Sequence, residues 1–173
     1  DLLKGQKLRS FGPQEWWLWL TGRSFSTCVA NAQVVGAAAS DGALFLWDMA
    51  SARPLWQTQL ASPITAMDLS RDGHFLVCVA RDQQLSLWQV ESGTCLGQWQ
   101  GKTPCQGVYL SQDGRAAILI GDREFLVWDL ANANVCLSVQ VSAPIEAHAW
   151  SPLGMLALRY RDGKVEAFSL ALG

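Results

Sequence analysis

Asp41-Gly42-Ala43-Leu44-Phe45-Leu46-Trp47-Asp48 is the stretch that decides the fold, because its parts return along the chain. Trp88, Trp128 and Phe168 follow Trp47 at successive intervals of 41, 40 and 40 residues. An aspartate stands six residues ahead of each: Asp41, Asp82, Asp122 and Asp162. Asp41-Gly42 and Asp162-Gly163 are tight-hairpin signals, since both residues tolerate positive φ between apolar runs. Two further markers keep the same phase. Ser70-Arg71-Asp72-Gly73, Ser111-Gln112-Asp113-Gly114 and Ser151-Pro152-Leu153-Gly154 are turn sequences. Ser62-Pro63, Thr103-Pro104 and Ala143-Pro144 punctuate the start of each unit. Self-similarity at a period of about 40 residues marks a repeat architecture.

Between these markers lie short segments rich in Val, Ile, Leu, Phe and Trp. In one unit they are 64–69, 75–80, 85–90 and 95–99. Segments this short are strands rather than helices, and four of them per repeat describe a blade of a β-propeller. The expected fold is therefore all-β, with four-stranded antiparallel blades, about four of them, as part of a larger ring. Residues 13–60, 61–101 and 102–141 make three blades and 142–173 an incomplete last one. Asp1-Leu2 with Gly5 and Leu8 matches the segment that follows a blade tryptophan, as in Gln89-Val90 with Gly93 and Leu96. Residues 1–12 are then the outer strand of a preceding blade, and the chain a portion of a longer propeller.

Composition narrows the function. The 173 residues carry 13 Lys and Arg against 15 Asp and Glu, a net charge of −2. That gives none of the basic field on which nucleic-acid binding rests. The apolar runs, such as Trp16 to Leu20, fall far short of the roughly 20 residues that span a bilayer. Half the residues are apolar and 16% charged, the balance of a packed domain and not of a disordered segment. The five cysteines, Cys28, Cys78, Cys95, Cys105 and Cys136, form no CxxC pair and are odd in number. They are expected to be buried free thiols in an intracellular, cytoplasmic protein.

The pattern resembles the WD-repeat (tryptophan–aspartate repeat) β-propeller family. Trp47-Asp48 and Trp128-Asp129 carry the dipeptide, and Trp88-Gln89 and Phe168-Ser169 are degenerate forms of it. The apolar spacing ahead of each turn matches at Ile64, Met67 and Leu69, at Cys105, Val108 and Leu110, and at Ile145, His148 and Trp150. The likeness covers about residues 22–170. It departs from the family in lacking the Gly-His pair, for which Leu60, Gly101 and Val141 stand, and in placing Asn31-Ala32 where the first unit needs its Asp-Gly turn. The resemblance implies a non-enzymatic protein–protein interaction scaffold, with a protein or peptide partner and no cofactor, the rest of the propeller lying in the parent chain. An alternative resemblance, to quinoprotein-like propellers (redox enzymes or envelope assembly factors), rests on the Asp-Gly turn and on Leu55-Trp56 after Pro54. A bound quinone would show in an absorbance spectrum.

Catalytic and ligand motifs are scarce. His74 follows a turn glycine, and His148 falls at an apolar strand position where a hydrogen-bonded core histidine fits better than a base. Gly101-Lys102-Thr103 lacks the glycine five positions earlier, where Leu96 stands, and the helix that a phosphate loop needs. The turn aspartates, one per repeat, lack the dense oxygen spacing of a calcium loop. Candidate partner-binding residues are of two kinds. In the family, the residue before the turn aspartate lies on one rim of the ring; here these are Ser40, Arg81, Gly121 and Arg161, with Arg123 beside them. The arginines either gather into a local basic spot for an acidic peptide or pair with their neighbouring aspartates. The insertion 13–22 carries Trp16, Trp17 and Trp19, either a strand packed on its neighbour or an aromatic anchor for a partner.

Overall fold

A computed structural model describes residues 24–102, 104–151 and 154–170. Residues 1–12 and the tryptophans Trp16, Trp17 and Trp19 lie outside them. Fifteen strands follow one another, with no helix among the described residues. Blade one holds β1 (Phe25–Ala30), β2 (Val34–Ala39), β3 (Ala43–Asp48) and β4 (Pro54–Gln59). Blade two holds β5 (Ile64–Leu69), β6 (Phe75–Ala80), β7 (Gln84–Gln89) and β8 (Cys95–Gln100). Blade three holds β9 (Gly107–Leu110), β10 (Ala116–Ile120), β11 (Glu124–Asp129) and β12 (Asn134–Gln140). Blade four holds β13 (Ile145–Ser151), β14 (Met155–Tyr160) and β15 (Val165–Ser169). Each blade is an antiparallel sheet in chain order, four-stranded in blades one to three and three-stranded in blade four among the described residues.

Burial follows from blades stacked face to face. β6 is buried along both faces, because a blade covers each side, whereas the outer strand β8 alternates half-buried and exposed. One core layer joins blades one and two through Leu44, Leu46, Met67, Cys78 and Trp88. A second joins blades two and three through Val77, Leu85, Leu110, Leu119 and Trp128. A third joins blades three and four through Ile118, Phe125, Leu156 and Tyr160. The register slips beside the tryptophan of every complete blade, at Leu46/Trp47, Leu87/Trp88 and Val127/Trp128. Such bulges add local twist.

Trp47, Trp88 and Trp128 all lie in third strands and are buried, 7%, 7% and 8% exposed. Trp88 and Trp128 sit between blades. Trp47 clusters instead with Ala39, Ala43 and Phe45 of its own blade, stacked on Phe45 at 5.8 Å. Trp56 of β4 crosses to blade two: its Nε1 donates to Val90 O at 2.6 Å and its ring stacks on Trp88 at 5.8 Å. In blade two the corresponding β8 position is Gly97, and a Cβ there would stand 2.5 Å from the Trp99 ring. Trp99, two residues on and on the same face of the strand, takes the space Trp56 fills in blade one.

The turns explain their markers. The Ser70 hydroxyl donates to Asp72 Oδ1 (2.6 Å) and accepts from Phe75 N (2.9 Å), while Asp72 Oδ1 accepts from His74 N. Ser111 and Asp113 repeat this around Ala116 and Arg115. Blade one reaches the same end differently: Asn31 Oδ1 accepts from Gln33 N and Val34 N, and its amide donates to Ser70 O of the next blade. The cysteines correct one expectation. All five are free, but only Cys78 is buried; Cys95 and Cys105 are half-buried, and Cys28 and Cys136 are exposed. Cys28 lies on the first and Cys136 on the last strand of its sheet, where one side has no neighbouring strand.

Candidate functional site

The hairpins joining the second and third strands, β2–β3, β6–β7, β10–β11 and β14–β15, follow one pattern in three blades. Gly42 N, Gln83 N and Gly163 N each donate to a carbonyl three residues back, at Ala39, Ala80 and Tyr160. The aspartate before each, Asp41, Asp82 or Asp162, accepts at Oδ1 from the backbone N–H two residues on, in Ala43, Gln84 or Lys164. The repeated aspartates are therefore turn-fixing groups. The left-handed position is glycine in two hairpins (Gly42 φ 92°, Gly163 φ 86°) but Gln83 in the third (φ 70°). A side chain there costs roughly 1–2 kcal/mol, and glycine returns about 0.4–1 of it through unfolded-chain entropy. Gln83→Gly is thus expected to stabilise the protein by about 0.5–1 kcal/mol, read as a shift of the urea midpoint.

Blade three departs from this pattern. Its hairpin closes one residue sooner, with Ile120 opposite Phe125 where blade two has Val79 opposite Leu85, and Gly121 N donates to Glu124 O. Gly121 is buried and does not take the place of Arg81. The outer strands brace the rim through glutamines that the sequence reading did not single out. Gln59 Nε2 donates to Asp41 O and Gln100 Nε2 to Asp82 O, both at 2.7 Å, and Gln140 Nε2 to Glu124 Oε2 at 2.6 Å. Their spacing of 41 and 40 keeps the phase of the tryptophans and is the signal that reveals them.

Ser40, Arg81, Arg123 and Arg161 are all exposed at these hairpins. Arg161 Nε stands 3.7 Å from Glu146, which also takes Arg159 at 2.9 Å. Arg123 Nε is 4.0 Å from Asp122, and its guanidinium donates to Ser142 O. Arg81 makes no side-chain ion pair among the described residues. Among the described residues of the rim, Arg123 and Arg161 have carboxylates within 4.0 Å, whereas Arg81 has none.

A second polar group lies on the inner strands. The Tyr109 hydroxyl is 2.8 Å from His148 Nδ1 and 3.2 Å from His148 O; donating to the carbonyl leaves it to accept from Nδ1–H. His148 is the hydrogen-bonded histidine the sequence favoured, and His74 is exposed. Asp68 Oδ2 accepts from Leu110 N of blade three at 2.8 Å. Burial raises the Asp68 carboxyl above its ordinary range, partly offset by that bond, and also raises the Tyr109 phenol. Burial holds the His148 imidazolium below the usual 6.5. The unfolded chain therefore binds the extra proton, so the contribution of His148 is complete above about pH 6.5 and is lost as pH falls below it. The raised Asp68 acts in the opposite sense, losing stability as pH rises above 3.8. A His148→Gln variant retains Asp68 and so isolates the histidine. Its stability is expected to fall less than that of the wild type between about pH 7.5 and about pH 5.5, by urea unfolding at each pH.

No protein-family model matches the chain. No curated protein matches it either. Solved structures do. The structure of U3-55K superposes with a TM-score of 0.73 at 18% identity, over 86% of this chain and 50% of that one. The crystal structure of the RRP9 WD40 repeats gives a TM-score of 0.73 at 18% identity, over 86% of this chain and 49% of that one. The chain spans about half the length of these solved propellers. No helix among the described residues is long and apolar enough to cross a membrane. With its 40-residue period, its tryptophan in every third strand of the complete blades and its chain-order antiparallel sheets, the chain folds as a partial β-propeller of the WD-repeat type.

Proposed function

We propose that the chain is a non-enzymatic protein-interaction scaffold whose partner docks on the rim formed by the second-to-third-strand hairpins. The observation that carries this is Arg81: exposed at a hairpin fixed by Asp82 and braced by Gln100, with no carboxylate of its own among the described residues. A rigid sheet that presents loops is the usual setting for binding, and a free guanidinium engages carboxylates bidentately. The partner is a protein or peptide with an acidic segment, and Arg123 and Arg161 extend the contact to the next two blades. Five unpaired thiols support an intracellular, cytoplasmic setting. The test is a double Arg81→Ala, Arg161→Ala variant of the parent protein in a pull-down of its natural partners. Binding is expected to fall with thermal stability unchanged. Unchanged binding removes this rim and turns attention to Trp16, Trp17 and Trp19.

A further inference from the structure

Trp47, Trp88 and Trp128 are buried to the same degree, but their cover differs. For Trp88 and Trp128 it is the preceding blade: Leu44 and Leu46 share the layer of Trp88, and Leu85 and Leu87 that of Trp128. Trp47 has no preceding blade among the described residues. Phe45, on the same strand, is 7% exposed, as is Trp47. Yet the described residues clustered with this pair, Val35, Ala37, Ala39 and Ala43, all belong to blade one. Side chains stand roughly perpendicular to a sheet, so neighbours as short as alanine leave the outer side of a ring open. Something beyond blade one therefore covers Phe45 and Trp47.

The chain itself has a fitting cover. Phe45 has a contact beyond Phe25 and Trp47, its ring partners in blade one. Outside the described residues the aromatic residues of the chain are Phe11, Trp16, Trp17 and Trp19. Three of these four stand in Trp16-Trp17-Leu18-Trp19-Leu20, the longest apolar run within residues 1–23. This run lies just ahead of β1, whose Phe25 meets Phe45 edge-on at 6.1 Å. Residues 16–20 precede Phe25 by nine to five positions, about 16–30 Å of extended chain, against about 10 Å from β1 across β2 to β3.

We propose that residues 16–20 cover the outer face of blade one, their indoles packed on Phe45 and Trp47 where blades two and three have a preceding blade. The proposal is independent of the arginine rim. Held on blade one, the three tryptophans meet a partner only after release from it.

The test uses the whole chain and hydroxyl-radical labelling read by mass spectrometry, at high and low protein concentration. Phe45 and Trp47 are expected to be labelled as little as Trp88 at both. In a Trp16→Ser, Trp17→Ser, Trp19→Ser variant their labelling is expected to rise several-fold, with Trp88 unchanged as the sign that the blades still pack. Phe11→Ser is expected to leave all three as they were. If the triple variant also exposes Trp88, nuclear Overhauser cross-peaks in the unmutated chain decide. Those between the Trp47 ring and the rings of Trp16, Trp17 or Trp19, assigned by single Trp→Phe variants, carry the proposal. Unchanged labelling of Trp47 in a folded triple variant overturns it, as do Trp47 cross-peaks confined to blade one. A rise on Phe11→Ser alone assigns the cover to residues 1–12, and protection lost on dilution assigns it to a second copy; either result also overturns the proposal.

Discussion

Replacing Trp88 with alanine is expected to remove about 3–5 kcal/mol of folding stability, the range for a buried large aromatic whose space is not refilled. The ring is 7% exposed and lies in the layer that joins blades one and two. Its loss takes three interactions at once. The apolar burial goes, the Trp56 ring loses its stacking partner, and the Ser86 hydroxyl, itself fully buried, loses the indole donor. Trp56 stays tethered to Val90 O, which limits how far the layer can collapse to fill the gap. Against a typical stability of about 5–15 kcal/mol this is a large share. The measurement is urea unfolding followed by circular dichroism, with a lowered midpoint at unchanged slope. A cost below about 1 kcal/mol, the range of a surface substitution, would place the ring outside the core.

The second large effect is expected at Gly107. A Cβ there would stand 2.2 Å from His148 Cε1, so the alanine and the ring cannot share the site. The ring is held by Tyr109 from the same strand as Gly107 and by the chain of β13, so moving it breaks the hydroxyl–imidazole contact. Overpacking of this kind costs about 1–3 kcal/mol. The cause is checked by a double-mutant cycle: in a His148→Ala background the same Gly107→Ala change is expected to cost much less. Equal costs in both backgrounds would mean that backbone conformation, and not the histidine, keeps this glycine.

Much of the fold was legible because the turn markers bracket the strands. Residues 64–69 and 75–80 form strands with the expected ends, since Ser62-Pro63 and Ser70-Arg71-Asp72-Gly73 set their limits chemically. What was not legible depends on neighbours across a blade interface. Nothing in the sequence of β4 says that Trp56 reaches Val90, or that Gly97 is left empty for Trp99. The short hairpin of blade three was available in the spacing, seventeen residues from Ser111 to Trp128 against eighteen from Ser70 to Trp88. Aligning on the tryptophans alone hides it and makes Gly121 look like a counterpart of Arg81. The hydrogen bonding of the repeat indoles was half legible. Phe45, Ser86, Leu126 and Glu166 stand two residues before the repeat aromatic, but only the packing of blade two against blade three shows that Leu126 leaves the Trp128 indole donor unpaired.

The central claim is that successive 40-residue repeats pack face to face as propeller blades. The contact between Trp56 of blade one and Trp88 of blade two tests it most directly, because the two rings belong to different repeats and stack at 5.8 Å only if the blades adjoin in this register. A nuclear Overhauser spectrum of the chain, with the indoles assigned by single Trp→Phe variants, is expected to show cross-peaks between the Trp56 and Trp88 ring protons. Cross-peaks from Trp88 confined to residues of its own repeat, with none to Trp56, would contradict it.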